Sequence, residues 1–364
     1  MLRGLGVGLG VLVALALATF ALPVRVWRTG ELPVPPLPIL HGGPSVEMPV
    51  RVWIDTDAAC GHGRRTDPDD CFAILLLGRA AGPRLVGVST VFGNAPLEVT
   101  DRVTRELAAT LAREGAASVS VHRGSSKPAG GTRALEPAHV ALRQALEMGT
   151  LTVVSLGPLT NVAAVLAGRP DLQTRVGRLV AVMGRRSGHL FHPAEGKGHG
   201  ILFGHGPVFS DFNFEQDRQA AAAVLAMHLP TTLIPYEAGR DVTVTARGLD
   251  QLAASGGAAA WVAERARGWL DFWRTEVGID GFYPFDALAA AYAIAPGHFD
   301  CAQAPAWVAR DDRLWGWFKH PWGLIVGLDR ERPTESEASG EVVYCPRADA
   351  ALGDWMLGRL AGPR

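Results

Sequence analysis

The sequence carries almost no net charge, with 35 Lys and Arg set against 36 Asp and Glu for a formal balance of −1. No run of basic residues breaks that balance. A nucleic-acid surface is therefore excluded, and a small molecule is the expected partner. Cysteine is scarce too: the four residues Cys60, Cys71, Cys301 and Cys345 fit no zinc-ligand spacing. In an exported domain Cys301 and Cys345 would be the pair expected to bridge, with buried free thiols as the alternative. No internal repeat and no low-complexity tract marks the folded part.

Apolar residues are what the chain has in quantity. They make up 48% of 364 residues, enough for one large α/β domain or two smaller ones. One stretch differs in kind. Residues 4–24 carry no charge and are rich in Leu, Val, Ala and Gly, long enough to cross a hydrocarbon core of ~30 Å as a helix. Residues 1–24 read as a cleaved signal, with Ala16 and Ala18 offering a small-residue cleavage site, or as an uncleaved membrane anchor. Arg3 before the stretch and Arg25 and Arg28 after it leave orientation open. Export, to a periplasmic or membrane-anchored location, is the expectation. Residues 25–48 are Pro-rich and form a linker, and residues 49–364 form the folded domain.

The domain opens on Val50 to Ile54, a strand-like run ending in acid. Strands are then expected at 85–91, 118–121, 151–155 and 179–183, alternating with helices at 71–81, 97–113, 139–148 and 161–167. From about Gln216 onward the pattern turns more helical, with segments at 218–227, 249–276 (interrupted at Gly256 and Gly257) and 287–294. Alternation of this kind implies an α/β fold, a mainly parallel twisted sheet with helices on both faces. Ligands of such sheets bind outside the carboxyl ends of the strands.

Acid gathers at that end. Asp55-Thr56-Asp57 closes the first strand, and Asp67-Pro68-Asp69-Asp70 precedes the next helix. Carboxylates crowded together raise one another's pKa, and a hard cation with oxygen ligands relieves the repulsion. A bound cation also acidifies water, so that a neighbouring carboxylate can take the proton. The plainer reading is a solvated turn in which Asp67 or Asp69 caps the helix. D-x-D at a strand end together with D-x-D-D at a helix start favours a metal or substrate role.

Asp55-Thr56-Asp57 followed by Asp69-Asp70-Cys71-Phe72-Ala73 resembles the signature of the inosine-uridine preferring nucleoside hydrolases. The resemblance implies Ca²⁺ as cofactor and a nucleoside as substrate. It also implies Asp57 as ligand and base for the attacking water, Asp70 as ligand, and Asp69 on the ribose hydroxyls. The loop of residues 58–68 is longer than the family's and contains Cys60, His62, Arg64 and Arg65. Ser89 to Asn94 is similar to the family's second strand and turn, which puts Asn94 near the water or the ribose; alone it would be a turn former. Leu156-Gly157-Pro158-Leu159-Thr160-Asn161 is the clearest match, and it implies the Leu156 carbonyl as a ligand. Val182-Met183-Gly184 also matches, although Arg185-Arg186 follows where small residues are usual. Ser210 to Phe214 resembles the ribose-holding segment, with Asp211 in place of Glu and Asn213 matching directly. His205 stands where a further ribose-binding Asn is common. Pro284 to Ala289 resembles the segment whose Asp completes the metal site, which implies Asp286 as ligand. Phe285 occupies the place of a His that helps the base leave, so leaving-group activation is unassigned, with His62, His189, His192 and His205 as candidates.

Together these segments point to hydrolysis of an N-ribosidic bond through an oxocarbenium-like transition state. A membrane-held ribosyl-binding module without catalysis is the competing reading. An aspartyl-phosphate phosphotransferase ranks last, since that chemistry wants Thr or Val where this chain has Ala59. A homo-oligomer is among the expected assemblies.

Overall fold

Three short runs of β-branched and aliphatic residues, Arg51–Thr56, Leu151–Ser155 and Val176–Ala181, lie almost wholly buried at the centre of one sheet. Their apolar side chains point to both faces, as parallel strands covered by helices on each side require. In the computed structural model the described residues are 40–41 and 51–362, apart from 81, 83, 117, 129–134, 187–210, 312–321, 328–332 and 334. The expected signal or anchor at 1–24 therefore lies outside the described residues, as do His189, His192 and His205. Among the described residues no helix is long and apolar enough to cross a membrane.

The described strands are β1 (Leu40–His41), β2 (Arg51–Thr56), β3 (Arg84–Thr90), β4 (Val121–Arg123), β5 (Leu151–Ser155), β6 (Val176–Ala181), β7 (Arg185–Arg186), β8 (Thr231–Leu233), β9 (Phe299–Arg310), β10 (Trp322–Val326) and β11 (Ser336–Ala348). They form one sheet in the order β4-β3-β2-β5-β6-β8-β11-β9-β10-β7, with β1 added on β9. The block from β4 to β8 is parallel throughout. The chain winds outward from β2 through β3 to β4 on one side, and from β5 through β6 to β8 on the other. Loops leaving β2 and β5 thus part in opposite directions, and a crevice opens between their carboxyl ends.

The helix Asp69–Gly78 is buried from Asp69 to Leu77, and Phe285–Ile294 is buried from Asp286 to Ala293. The two pack on each other. The alanines of Phe285–Ile294 permit a close approach, and each helix begins with an aspartate at the crevice. By contrast Leu97–Arg113 buries only Leu97, Thr100, Val103, Thr104, Leu107, Thr110 and Leu111, the stripe of an amphipathic surface helix.

Two features go beyond the sequence expectation, the C-terminal strands and the Cys60–Cys71 bridge, while Cys301–Cys345 is the pair expected. The end of the chain is not mainly helical: β9, β10 and β11 form long antiparallel ribbons, and β11 joins the parallel block by pairing with β8. Arg185 and Arg186, unusual after Met183-Gly184, anchor this extension. Arg185 pairs with buried Asp311, while Arg186 pairs with Glu237 at 2.7 Å, which also accepts from the Tyr344 hydroxyl. All four cysteines are paired. Cys301–Cys345 crosslinks β9 to β11, and Cys60–Cys71 ties the 58–68 loop to the helix Asp69–Gly78.

Candidate active site

Every strand that ends at the crevice delivers a polar group there. Beyond β2, Asp57 is fully buried and its Oδ2 accepts the Asn94 N–H at 2.8 Å, while its Oδ1 has no hydrogen-bond partner among the described residues. Gly93 and Gly157 close in on this carboxylate: a Cβ at Gly93 would collide with Oδ2, and one at Gly157 would lie 3.1 Å from Asp57 Cγ. Glycine at both positions is a steric condition for Asp57 to sit where it does.

Asn94 links two acids. Its backbone N–H holds Asp57, and its Nδ2 donates to Asp70 Oδ2 at 3.0 Å. Asp70 Oδ1 also accepts from the Thr56 hydroxyl. From the other helix, the Asp286 N–H donates to Asp69 Oδ2 at 2.8 Å. Asp69, Asp70 and Asp286 bring one carboxylate oxygen each to within 4.8 Å of one another. Asp69, expected on the sugar, is thus geometrically a member of the tightest acidic group. Asp57 stands beside that group and is electrostatically coupled to Asp70 and Asp69.

Such crowding has a plain electrostatic cost. Burial, then repulsion from Asp70 and Asp69, pushes Asp57 well above the usual carboxylate range. Asp286 is raised in the same way by burial and by Asp69, Asp70 and Asp57. Asp70 is pushed up to about 7 by burial and by Asp69, against the bonds from Thr56 and Asn94. The protein without a cation therefore holds protons here at pH values where free carboxylates have lost them. An all-oxygen set with the orphaned Asp57 Oδ1 suits a hard divalent cation, which would take the place of those protons.

A second network lies behind the acids. The Nδ1 of buried His139 accepts the Glu136 N–H at 3.1 Å, so its Nε2 carries the hydrogen and donates to Asn161 Oδ1 at 3.0 Å. Burial pushes the His139 pKa down, in keeping with a neutral ring. The Nδ2 of Asn161 then donates to Asp55 Oδ1 at 2.8 Å and to the Thr90 carbonyl at 3.0 Å. Ser89 also donates to Asp55 Oδ1, and Trp53 Nε1 donates to Ser89. Burial lifts Asp55 to about 6. Asn161, which sequence alone makes a helix-start residue, thus stitches β2 to β3 through Asp55 and the Thr90 carbonyl.

Facing the acids is a cavity of about 340 Å³, lined among others by Asp67, Asp69, Asn94, Asp211, Asn213 and Asp286. Asp211 caps the helix Phe212–Gln216: its Oδ1 accepts the Phe214 N–H and its Oδ2 the Gly184 N–H at 2.7 Å. Burial raises it to about 6. Asn213 donates through Nδ2 to the carbonyls of Leu156 (2.6 Å) and Val182 (3.0 Å), leaving its Oδ1 as an acceptor. The Leu156 carbonyl accordingly lies at the crevice, held by Asn213. Arg65, Phe212, Tyr236, Trp269 and Phe285 line the same cavity. Tyr236 and Trp269 carry no motif, and their places follow only from the packing of distant segments. His62 is exposed and does not line the cavity.

The comparisons with known proteins follow this geometry. A sequence profile described as "Inosine-uridine preferring nucleoside hydrolase" matches residues 52–344. An uncharacterized protein of Schizosaccharomyces pombe is 28% identical over 221 residues, 52% of this chain and 65% of that protein. The pyrimidine-specific ribonucleoside hydrolase RihA of Shewanella woodyi is 26% identical over 211 residues, 56% of this chain and 59% of that protein. The chain thus spans less than two-thirds of the length of either relative. A solved plant nucleoside hydrolase superposes with a TM-score of 0.66 at 18% identity, covering 86% of this chain and 99% of its own, which speaks to the fold.

Proposed function

Because the chain belongs to the inosine-uridine preferring nucleoside hydrolase family, we propose that it hydrolyses the N-glycosidic bond of a ribonucleoside to ribose and a free base. The observation that carries this reading is the buried group of Asp69, Asp70 and Asp286, coupled to buried Asp57 and exposed to the cavity through Asp69 and Asp286. Asp57, Asp70, Asp286 and the Leu156 carbonyl would hold Ca²⁺, with Asp69 beside them. Bound there, the cation supplies the positive charge that acidifies a water molecule and steadies developing negative charge.

This chain's own residues do the rest. Asp57 takes a proton from the attacking water, since Asn94 and the two glycines fix its carboxylate and Oδ1 has no hydrogen-bond partner among the described residues. Asp69, Asn94, Asp211 and Asn213 orient the sugar hydroxyls, for which a vicinal diol needs both donors and acceptors. His205, outside the described residues, is proposed as a further sugar contact. As the ribose ring gains oxocarbenium-like charge, the surrounding carboxylates stabilise it.

The test is ribose release from a panel of nucleosides by the purified protein, before and after EDTA treatment and with Ca²⁺ restored. Loss with EDTA and recovery with Ca²⁺ are expected. Nucleoside binding without ribose release would instead establish the ribosyl-binding reading, which Phe285 favours because a phenyl ring donates no proton to a departing base. Export of the chain, anchored through residues 1–24, is also proposed and is supported by its two disulfides, which oxidising compartments sustain. Cell fractionation with N-terminal sequencing checks it; intact protein in the cytosol would count against it.

A further inference from the structure

The cavity is chemically lopsided. Its lining joins carboxylates to aromatic rings and to Arg65, the one cationic side chain among the described lining residues. Arg65 comes from the long 58–68 loop, and that loop is fastened at both ends. Cys60–Cys71 ties its start to the aspartate-bearing helix. Near its far end Arg64 is bound over the turn that follows the helix Gly257–Phe272: Nε meets Asp271 at 2.7 Å, Nη1 meets Glu276 at 3.0 Å and Nη2 meets Thr275 at 2.5 Å. That turn, Trp273–Val277, is a π-helix, a distortion that recurs at functional sites.

The two adjacent arginines are used differently. Arg64 commits all three of its nitrogens, one to Asp271 at the end of the helix and two to the turn. Arg65 gives only Nη2, to Glu276 at 2.5 Å, and lays its guanidinium over the Phe272 ring at 5.6 Å from the centroid. A guanidinium has five N–H donors, so Arg65 retains several for a ligand. Trp269, Tyr236 and Phe285, in the same cavity lining, offer flat surfaces for a planar base.

We propose that Arg65 stabilises the departing base as an anion, in place of a proton donor. The inference rests on the hydrolase reading above. When the C1′–N bond breaks, its electron pair passes to the base nitrogen. The water oxygen bonds to C1′, and its proton goes to Asp57. The base leaves as a nitrogen anion beside Arg65 and takes a proton from solvent after release, while Asp57 returns its own proton to solvent. The cavity then matches both charges of the transition state, carboxylates facing the cationic sugar and a guanidinium facing the anionic base. Arg65 is thereby a specificity determinant for bases that form stable nitrogen anions, such as uracil and hypoxanthine.

The experiment compares wild type, Arg65→Gln and Arg64→Gln on uridine, inosine and p-nitrophenyl riboside, whose leaving group is already a stable anion. Arg65→Gln should lower kcat/KM on uridine and inosine by on the order of 100-fold, the scale of losing one preorganised charge partner. On p-nitrophenyl riboside it should change it by less than about 3-fold, which corresponds to under 1 kcal/mol. Arg64→Gln loosens the loop yet keeps the cavity cation, so it should affect all three substrates alike. An equal effect of Arg65→Gln on all three, or none on any, overturns the proposal. Absence of ribose release by the wild type from every substrate, p-nitrophenyl riboside included, would instead fail the underlying hydrolase reading.

Discussion

The two walls of the cavity are built in opposite ways. The sugar wall is set by buried groups: Asp57, just beyond β2, and Asp70, in the first turn of the helix Asp69–Gly78, are 0% exposed, and hydrogen bonds from Asn94 and Thr56 hold them. Arg65, on the base wall, has a side chain 68% exposed and sits on an inserted loop held by a disulfide and exposed ion pairs. The sugar and the water are common to every riboside, so the groups that meet them gain from a backbone that cannot shift. The base varies, and the residues that meet it lie where insertions are tolerated.

If the sugar wall carries the chemistry, Asp57→Asn should be the most damaging change. Its kcat for ribose release is expected to fall by about 1,000-fold, within the usual range for a lost general base. Retention of wild-type rate by that variant would remove Asp57 from its assigned role.

Rigidity of the sugar wall should have its source behind the site. Asn161→Ala removes the donor to Asp55 and the acceptor for His139 at once. It is expected to cost about 2–3 kcal/mol in urea unfolding, because buried polar groups are left unpaired, and to weaken Ca²⁺ binding measured by calorimetry. Unchanged stability would mean that the network is ornamental to the wall.

Cys60→Ser addresses the other wall. Loss of the bridge should cost about 2 kcal/mol and raise KM for nucleosides, with Ca²⁺ affinity staying near wild type. A large fall in Ca²⁺ affinity would erase the distinction between the walls, since the loop would then be holding Asp70 as well.

The smallest effect concerns pH. In the cation-free protein Asp55 and Asp211 are raised to about 6 and Asp70 to about 7, so the folded state keeps protons that the unfolded chain loses near pH ~4. Their contribution to stability is full below that point and declines as pH rises toward 7. The thermal midpoint in EDTA should therefore drop by several degrees over this interval, and Ca²⁺ should restore more at pH 7 than at pH 5. A midpoint that climbs over the same interval would contradict the raised values.

Local pattern made much of the parallel half legible. The strand 151–155 and the helix 97–113 are where the pattern puts them, because a short run around Val153 and Val154 reads as a buried strand and a 3.6-residue stripe as an amphipathic helix. The ribbons β9, β10 and β11 were not legible. Their pairing joins residues far apart in the chain, and alternation in Phe299–Arg310 is blurred by burial on both faces. Arg185 and Arg186 looked like a defect in a motif, and their role appears only once Asp311 and Glu237 meet them. Asp211 and Asn213 could be named from their segment, but the backbone groups they hold belong to other strands.

By itself the sequence determined which acids end the first strand and the alternation of strands and helices that makes the sheet mainly parallel, since these follow from charge and short-range period. Only the tertiary structure decided that Asp69 joins Asp70 and Asp286, that Asn161 braces Asp55, and that Arg65 shares one cavity with Asp69 and Asp286. Each of those is a contact between segments distant in the chain, and which of the many conceivable pairs forms is settled by packing the whole core at once.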